Sequence, residues 1–358
     1  MKINRINNLL RNMESQGLEQ IIVTSSPDIF YLTGKWIKAG ERMLALYLNR
    51  NGNHKFIVNK LFPIHEDLGV EIVWYTDLED SVKLLSTVVD KEKALGVDKN
   101  WPSHFLIKLM EMKGAKTFVN SSPILDRIRM IKDEEEIELM RKSSQINDKV
   151  MLDLWGSLKE GKTEKYYANL LVDIYENYGV NKFSFNPIIA GCPNGADPHH
   201  GSGTDIIKKG QSIVMDIGGV YNYYCSDMTR TVFFGEAPNQ RHEKIYNTVK
   251  QANLNAIAKV KEGMKFSDID KAARDYIEDA GYGEYFTHRT GHSIGIEDHD
   301  FGDVSSINHD EIKSGMIFSI EPGIYLKDDF GVRIEDLVLV TKDGCEVLNK
   351  VSKDITIL

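Results

Sequence analysis

Only three cysteines, Cys192, Cys225 and Cys345, are spread along the 358 residues. They are too few and too scattered for a disulfide framework or a cysteine-held zinc cluster, which suits a reducing compartment, so the cytoplasm is the expected location. No stretch reaches the roughly 18 consecutive apolar residues that a membrane helix needs, and no membrane partner is expected. The opening MKINRINNLLRNMESQGLEQ sets Ile3, Ile6, Leu9, Leu10 and Met13 at helical spacing among charges, instead of the unbroken apolar run of a signal peptide. Basic residues are also in deficit, with 44 Lys and Arg against 53 Asp and Glu, net −9. That balance lacks the footprint of a phosphate-backbone binder, so nucleic acid is set aside and small-molecule or peptide substrates fit better.

What the chain does have is the composition of an ordinary globular protein, 42% hydrophobic and 27% charged, at a length that favours two domains. From about residue 20 to 120 the short runs IIVTS, ALYLN, KFIV, EIVWY, LIKLMEM and TFVN alternate with helical stretches, an α/β texture. Around SSPILDRIRMIKDEEEIELM the sequence turns polar, and Asp133 with Glu136 makes a capping-box pattern that opens a long helix. These features place a boundary near residue 125, giving domains 1–125 and 126–358.

The second domain carries an internal repeat. KEGKTEKYYANLLVDIYENYG (159–179) and KEGMKFSDIDKAARDYIEDAG (261–281) share their length, their Lys-Glu-Gly opening and their closing glycine. A long helix precedes each, about 134–158 and 239–262, and a second helix ends at Gly179 or Gly281, residues suited to a left-handed cap. The match then resumes, with Gly210-QSIVM-Asp216-Ile-Gly218 against Gly315-MIFSI-Glu321-Pro-Gly323. A duplicated α-α-β-β unit packed about a pseudo-twofold axis follows, with Asp216 and Glu321 facing each other across it.

QSIVMDIGGVYNYYCSDMTRTVFF reads as a hairpin broken at Gly-Gly and Tyr-Asn, so Asp216 and Asp227 come close on neighbouring strands. Glu321 and Glu335, the latter in GVRIEDLVLV, are expected to repeat the arrangement. Singly, each acid reads most naturally as solvated or salt-bridged. Four carboxylates on one axis, however, repel one another and demand positive charge. Two divalent cations with one imidazole would supply it, and His292 in THRTGHSIGI is the candidate. Alternation puts Cys225 on the opposite strand face as a packing residue. It also puts Arg333 on the face of Glu335, where a salt bridge would orient that acid.

GCPNGADPHH, VMDIGGVYNYYCSDMTRTV, HRTGHSIGIEDHD, FSIEPGIY and GVRIED, in this order, resemble the pita-bread metallopeptidases, specifically the aminopeptidase P and prolidase branch that cleaves Xaa-Pro bonds. The resemblance covers nearly the whole chain. It implies a smaller creatinase-type amino-terminal α/β domain followed by a pita-bread catalytic domain, an α/β (α+β) architecture, and a homodimer. It also implies that Asp216 chelates one metal, that His292 and Glu321 chelate the other, and that Asp227 and Glu335 bridge both, with a hydroxide between the ions as nucleophile. Mn²⁺ is the expected metal, with Co²⁺ or Zn²⁺ as alternatives. Glu321 would handle the proton, His199 and His299 would contact substrate and the tetrahedral intermediate, and His288 and Arg333 would support the ligands. One departure is Ser293, where the family often has glycine. Competing readings are a metal-independent creatinase-type C–N hydrolase and a non-catalytic pita-bread binding module. The five intact ligand positions favour the peptidase, while dipeptidase and aminopeptidase stay open.

Overall fold

Ile6, Leu9 and Met13 fall on one stripe of α1 (Ile3–Ser15) and are buried, the outcome expected of apolar residues spaced three and four apart. In this computed structural model, which describes residues Met1–Leu358, the chain forms two compact units, Met1–Ile128 and Arg129–Leu358. The first unit holds β1 (Gln20–Val23), α2 (Ser26–Thr33), β2 (Ala45–Asn49), β3 (Lys55–Asn59), β4 (Glu71–Tyr75), α3 (Ser81–Leu85), β5 (Ala94–Val97), α4 (Ser103–Glu111) and β6 (Thr117–Asn120). Its single sheet runs β4-β3-β2-β1-β5-β6, with β1, β5 and β6 parallel and β2 antiparallel to β1 and β3. Ile22, Tyr47, Ile57, Leu95 and Leu109 belong to its core. No helix is long and apolar enough to cross a membrane.

Helix α5 (Ser122–Met130) leads into the second unit. There α6 (Glu134–Gly156) starts on the Asp133–Glu136 capping box and α7 (Glu164–Asn177) on the Thr163 side chain. They precede β7 (Ile188–Gly191), β8 (Ser212–Ile217), β9 (Val220–Tyr221), β10 (Tyr224–Cys225) and β11 (Met228–Phe233). The second half repeats the plan with α8 (Gln240–Lys259), α9 (Phe266–Asp279), β12 (Gly291–His292), β13 (Asp303–Val304), β14 (Ile317–Ile320), β15 (Gly323–Leu326), β16 (Phe330–Arg333), β17 (Asp336–Val340) and β18 (Cys345–Val347). Gly179 and Gly281 follow α7 and α9 at φ 75° and 84°, the left-handed conformation in which glycine ends a helix without side-chain strain.

β8 pairs antiparallel with β7 and β11, and β17 pairs antiparallel with β14 and β18. Each half has its own apolar core, one including Leu154, Tyr167, Leu171 and Met215, the other Val249, Phe266, Ile269 and Phe318. The halves meet along β11. Thr229 O accepts from Glu335 N at 3.1 Å, and Thr231 Oγ1 donates to Arg333 O at 2.9 Å. A buried asparagine of each long helix reaches the strand beside an acid: Asn147 Nδ2 donates to Ile217 O and Asn253 Nδ2 to Ile320 O, both at 2.9 Å.

The strand registers correct one detail of the expected repeat. Asp216 lies opposite Thr229, whereas Ile320 opposite Asp336 puts Glu335 one step on, level with Glu321. Thr229 therefore occupies the register position equivalent to Glu335, and Asp227 sits two residues earlier, just before β11. The duplication fixes the first acid of each half and not the second.

Candidate metal centre

All nine residues singled out in the sequence, His199, Asp216, Asp227, His288, His292, His299, Glu321, Arg333 and Glu335, line one cleft of about 1200 Å³, together with Phe183, Phe185 and Pro187. Asp216 is the penultimate residue of β8, Asp227 precedes β11, His292 closes the short β12, and Glu321 and Glu335 stand just beyond β14 and just before β17. The carboxylates thus come from strand ends that the two sheets deliver to one place.

His292 Nε2 lies 3.6 Å from Asp227 Oδ2 and 3.5 Å from Glu321 Oε1. Ligand atoms of Asp227, His292 and Glu335 lie within 4.8 Å of one another, and all three residues are buried. Asp216 Oδ1, Asp227 Oδ1 and Glu335 Oε1 are buried with no hydrogen-bond partner. An unpaired buried acceptor costs about 1–3 kcal/mol, and more when charged. Three such oxygens beside an imidazole describe a divalent-cation site, and the oxygen-rich donor set suits a hard ion.

The electrostatics carry the same message. Burial, then Glu335 and Asp216, push the Asp227 carboxyl well above the usual range, and burial, Glu321 and Asp216 do the same to Glu335. Glu321 is pushed up to about 7 by burial and is partly restrained by Arg333. His292 is pushed down to about 3 by burial and by His299. Each group is driven towards its neutral form chiefly by burial, and the carboxylates further by one another, a drive that a bound cation reverses for the carboxylates.

Arg333 corrects an expectation. Its ion pair is with Asp216, Nη2 to Oδ2 at 2.7 Å. Its hydrogen-bonded route to Glu335 runs through Thr229, whose Oγ1 accepts from Arg333 Nε at 3.0 Å and donates to Glu335 Oε2 at 2.8 Å. Strand alternation correctly set Arg333 towards the acids, but Thr229 stands between it and Glu335. Arg333 Nη1 also donates to Tyr325 Oη at 3.0 Å, and His288 Nε2 meets the same hydroxyl at 2.9 Å. Burial, with Arg333 next, pushes His288 down to about 4.

His299 stacks obliquely on His292, with ring centroids 3.9 Å apart, and its Nδ1 accepts from Arg289 Nη2 at 2.9 Å. The backbone N of His199 donates to Asp197 Oδ1 at 3.0 Å. Cys225 is buried, its thiol is pushed up to about 12 by burial, and its Sγ meets Ile296 O at 3.6 Å, an inert packing role.

Sequence reasoning missed Thr229, Tyr325 and Ser319, whose Oγ donates to Glu321 Oε1 at 3.2 Å. Alternation from Asp227 marks Thr229 as sharing its face, and nothing local marks Tyr325, which the pairing of β15 with β16 brings to Arg333.

Residues 138–342 match the model of metallopeptidase family M24, and residues 5–131 match the creatinase/prolidase N-terminal domain. An uncharacterised peptidase of Staphylococcus aureus (strain bovine RF122 / ET3-1) is 35% identical over 98% of this chain and 99% of its own length. Two solved structures superpose with TM-score 0.93: a dipeptidase from Pyrococcus horikoshii OT3 (32% identical, 99% of this chain and 100% of that one) and a prolidase from Thermococcus sibiricus (34%, 100% and 99%). An Xaa-Pro dipeptidase from Bacillus anthracis is 28% identical at TM-score 0.90, covering 99% of both chains. The donor-rich cleft, the two matched domains and the full-length likeness to these peptidases agree: the chain belongs to metallopeptidase family M24, in its aminopeptidase P and prolidase branch.

Proposed function

We propose that this protein hydrolyses the Xaa-Pro bond of dipeptides with two divalent ions, most naturally Mn²⁺, held by Asp216, Asp227, His292, Glu321 and Glu335. Co²⁺ and Zn²⁺ are the alternatives. The observation that carries the reading is the convergence of these five side chains on one cleft with three buried carboxylate oxygens left unpaired. The dipeptide preference draws on the dipeptidase and prolidase likenesses, and a cytoplasmic homodimer on the family resemblance and the scattered cysteines.

When bound, the ions would supply a water-derived nucleophile at neutral pH and polarise the scissile carbonyl. The protein's own groups do the rest. Asp227 and Glu335, each with one oxygen unpaired, would hold the ions together with Asp216, whose other oxygen Arg333 holds. Glu321 keeps 16% of its side chain exposed, against 6% for Asp227 and 12% for Asp216, and is the carboxylate best placed to exchange protons with substrate. It would take the proton from the attacking water and return it to the proline nitrogen, which carries no hydrogen in the intact amide and leaves only when protonated. His199 and His299, on the cleft wall, would hold the substrate and oppose the charge developing on its carbonyl oxygen.

Paired substrates test the reading: kcat/KM for Ala-Pro against Ala-Ala, and Met-Pro against Met-Gly, in saturating Mn²⁺. A preference of about a hundredfold or more for the proline member is expected. Equal rates within each pair would withdraw the proline claim and leave a general dipeptidase on the same centre.

A further inference from the structure

Outside the metal centre the most completely engaged carboxylate on the cleft's periphery belongs to Glu164, whose side chain is 1% exposed. It sits in the first turn of α7, just after the Thr163 cap, where the helix dipole favours a negative charge. Each of its oxygens accepts twice. Oε1 takes Gly191 N and Asn194 Nδ2, both at 2.9 Å, and Oε2 takes Gly203 N at 3.0 Å and His200 Nε2 at 2.7 Å. An ionised carboxylate only accepts, so this geometry puts a proton on His200 Nε2.

These donors are not a random set. Gly191 ends β7, whose neighbour β8 carries Asp216, and Gly203 closes the loop that returns from the cleft. Glu164 thus clamps both ends of residues 191–203 and one of the two adjacent histidines between them, His199 and His200, both of which line the cleft. The middle of the segment has a second anchor, because Pro198 O accepts from Arg333 Nη1 at 3.3 Å, and Arg333 is the group that holds Asp216. Burying a carboxylate this deeply is unfavourable unless its donors are fixed. Packing alone would be served by an apolar side chain, which would leave the backbone N–H groups of Gly191 and Gly203 without acceptors.

We propose that Glu164 is a positioning residue of the reaction: it acts through the 191–203 segment to hold His199 and His200 in the cleft at a fixed distance from the metal-binding carboxylates. This rests on the peptidase reading for its consequence and on the hydrogen bonds alone for its geometry. A carboxamide in place of the carboxylate keeps the shape but presents an N–H₂ to two of the four donors, so the segment loosens while the metal ligands stay where they are.

The test is a double-mutant cycle with an independent structural readout. Glu164→Gln should lower kcat/KM on Ala-Pro by about 10–100-fold, with the metal content of the wild-type protein, and Glu164→Asp should recover part of the loss. In a His199→Ala, His200→Ala background the same substitution should change the rate less than about twofold, because residues acting as one unit are not additive. Hydrogen exchange of the peptides covering residues 191–203 should quicken in Glu164→Gln and not in His199→Ala, which leaves all four donors in place. Additive losses in the cycle, metal lost in step with rate, or unchanged exchange each overturn the proposal. Should Glu164→Gln fail to fold, Asn194→Ala and His200→Leu each remove one donor and leave the carboxylate in place, and coupling of either to His199→Ala is read in the same way. A wild-type enzyme that cleaves other dipeptides but not Ala-Pro defeats the substrate reading instead, and the cycle is then measured on the dipeptide that is cleaved.

Discussion

Thr229→Val is the most informative single perturbation, because it changes one hydroxyl and almost no volume at the joint between the two halves. The Thr229 hydroxyl is the hydrogen-bonded link between Arg333 and Glu335, accepting from Nε at 3.0 Å and donating to Oε2 at 2.8 Å, and Glu335 Oε1 already lacks a partner. Valine leaves both oxygens of a fully buried carboxylate unpaired and takes an acceptor from a buried guanidinium. A hydrogen bond to a charged group contributes about 1.5–3 kcal/mol, so divalent-ion affinity should weaken about 10–100-fold as Glu335 loses its orientation. In the metal-free protein the same loss should lower Tm by several degrees, at about 2–4 °C per kcal/mol for a unit of this size. Calorimetric titration of chelator-treated protein with Mn²⁺ measures the first quantity and thermal unfolding the second. Affinity within about twofold of wild type together with an unshifted Tm would show that Thr229 is a spectator and that Glu335 is oriented by its strand alone.

Asp227→Ala and Glu335→Ala should each abolish turnover and reduce the metal bound per chain, while circular dichroism keeps the wild-type spectrum; retained metal with near-normal rate would refute the bridging assignment. His199→Ala and His299→Ala should lower kcat by about 10²–10⁴-fold at unchanged metal content, and metal loss in either would move it into the coordination sphere. Stability of the chelated protein should fall as pH rises from about 6.5 through about 7, with Tm followed against pH. Asp227, Glu335 and Glu321, the last at about 7, have folded pKa values raised above their unfolded ones, so their contribution is complete below about pH 4 and is lost as pH climbs through the folded values. His292 and His288, at about 3 and about 4, oppose this only below about 6.5, where the unfolded chain protonates first. For Glu321 the span from 4.5 to about 7 corresponds to roughly 3 kcal/mol before solvent screening, most of it lost below pH 6.5 where the histidines oppose it, and bound metal should flatten the slope; a chelated Tm that rises between about 6.5 and 7 contradicts the crowded-carboxylate account.

The helices of the second unit were legible because each signal is local. Asp133 and Glu136 form the capping box that opens α6, and Gly179 and Gly281 take the left-handed φ their positions required. The repeat identified Asp216 and Glu321, which the strands do bring to one cleft. What the repeat could not supply was register. Whether Asp227 or Thr229 faces Asp216 depends on where β9 and β10 turn back, and that turn lies on Asn222 and Tyr223 at φ 45° and 71°, a pairing between strands that no period along one strand encodes. Arg333 went to Asp216 for a similar reason: the choice between two acids of one face is made by Thr229 from the other half of the fold. Glu164 carries no sequence signal beyond its place after a helix cap, since its four donors come from the 191–203 segment.

The central claim is that turnover depends on two ions held by Asp216, Asp227, His292, Glu321 and Glu335, and one titration tests it most directly. Protein stripped with chelator and shown by elemental analysis to be metal-free is titrated with Mn²⁺ while Ala-Pro hydrolysis and bound metal per chain are followed in the same samples. The account predicts no measurable hydrolysis in the stripped protein and full recovery as occupancy approaches two ions per chain. Undiminished hydrolysis of Ala-Pro by protein that holds no metal would contradict it.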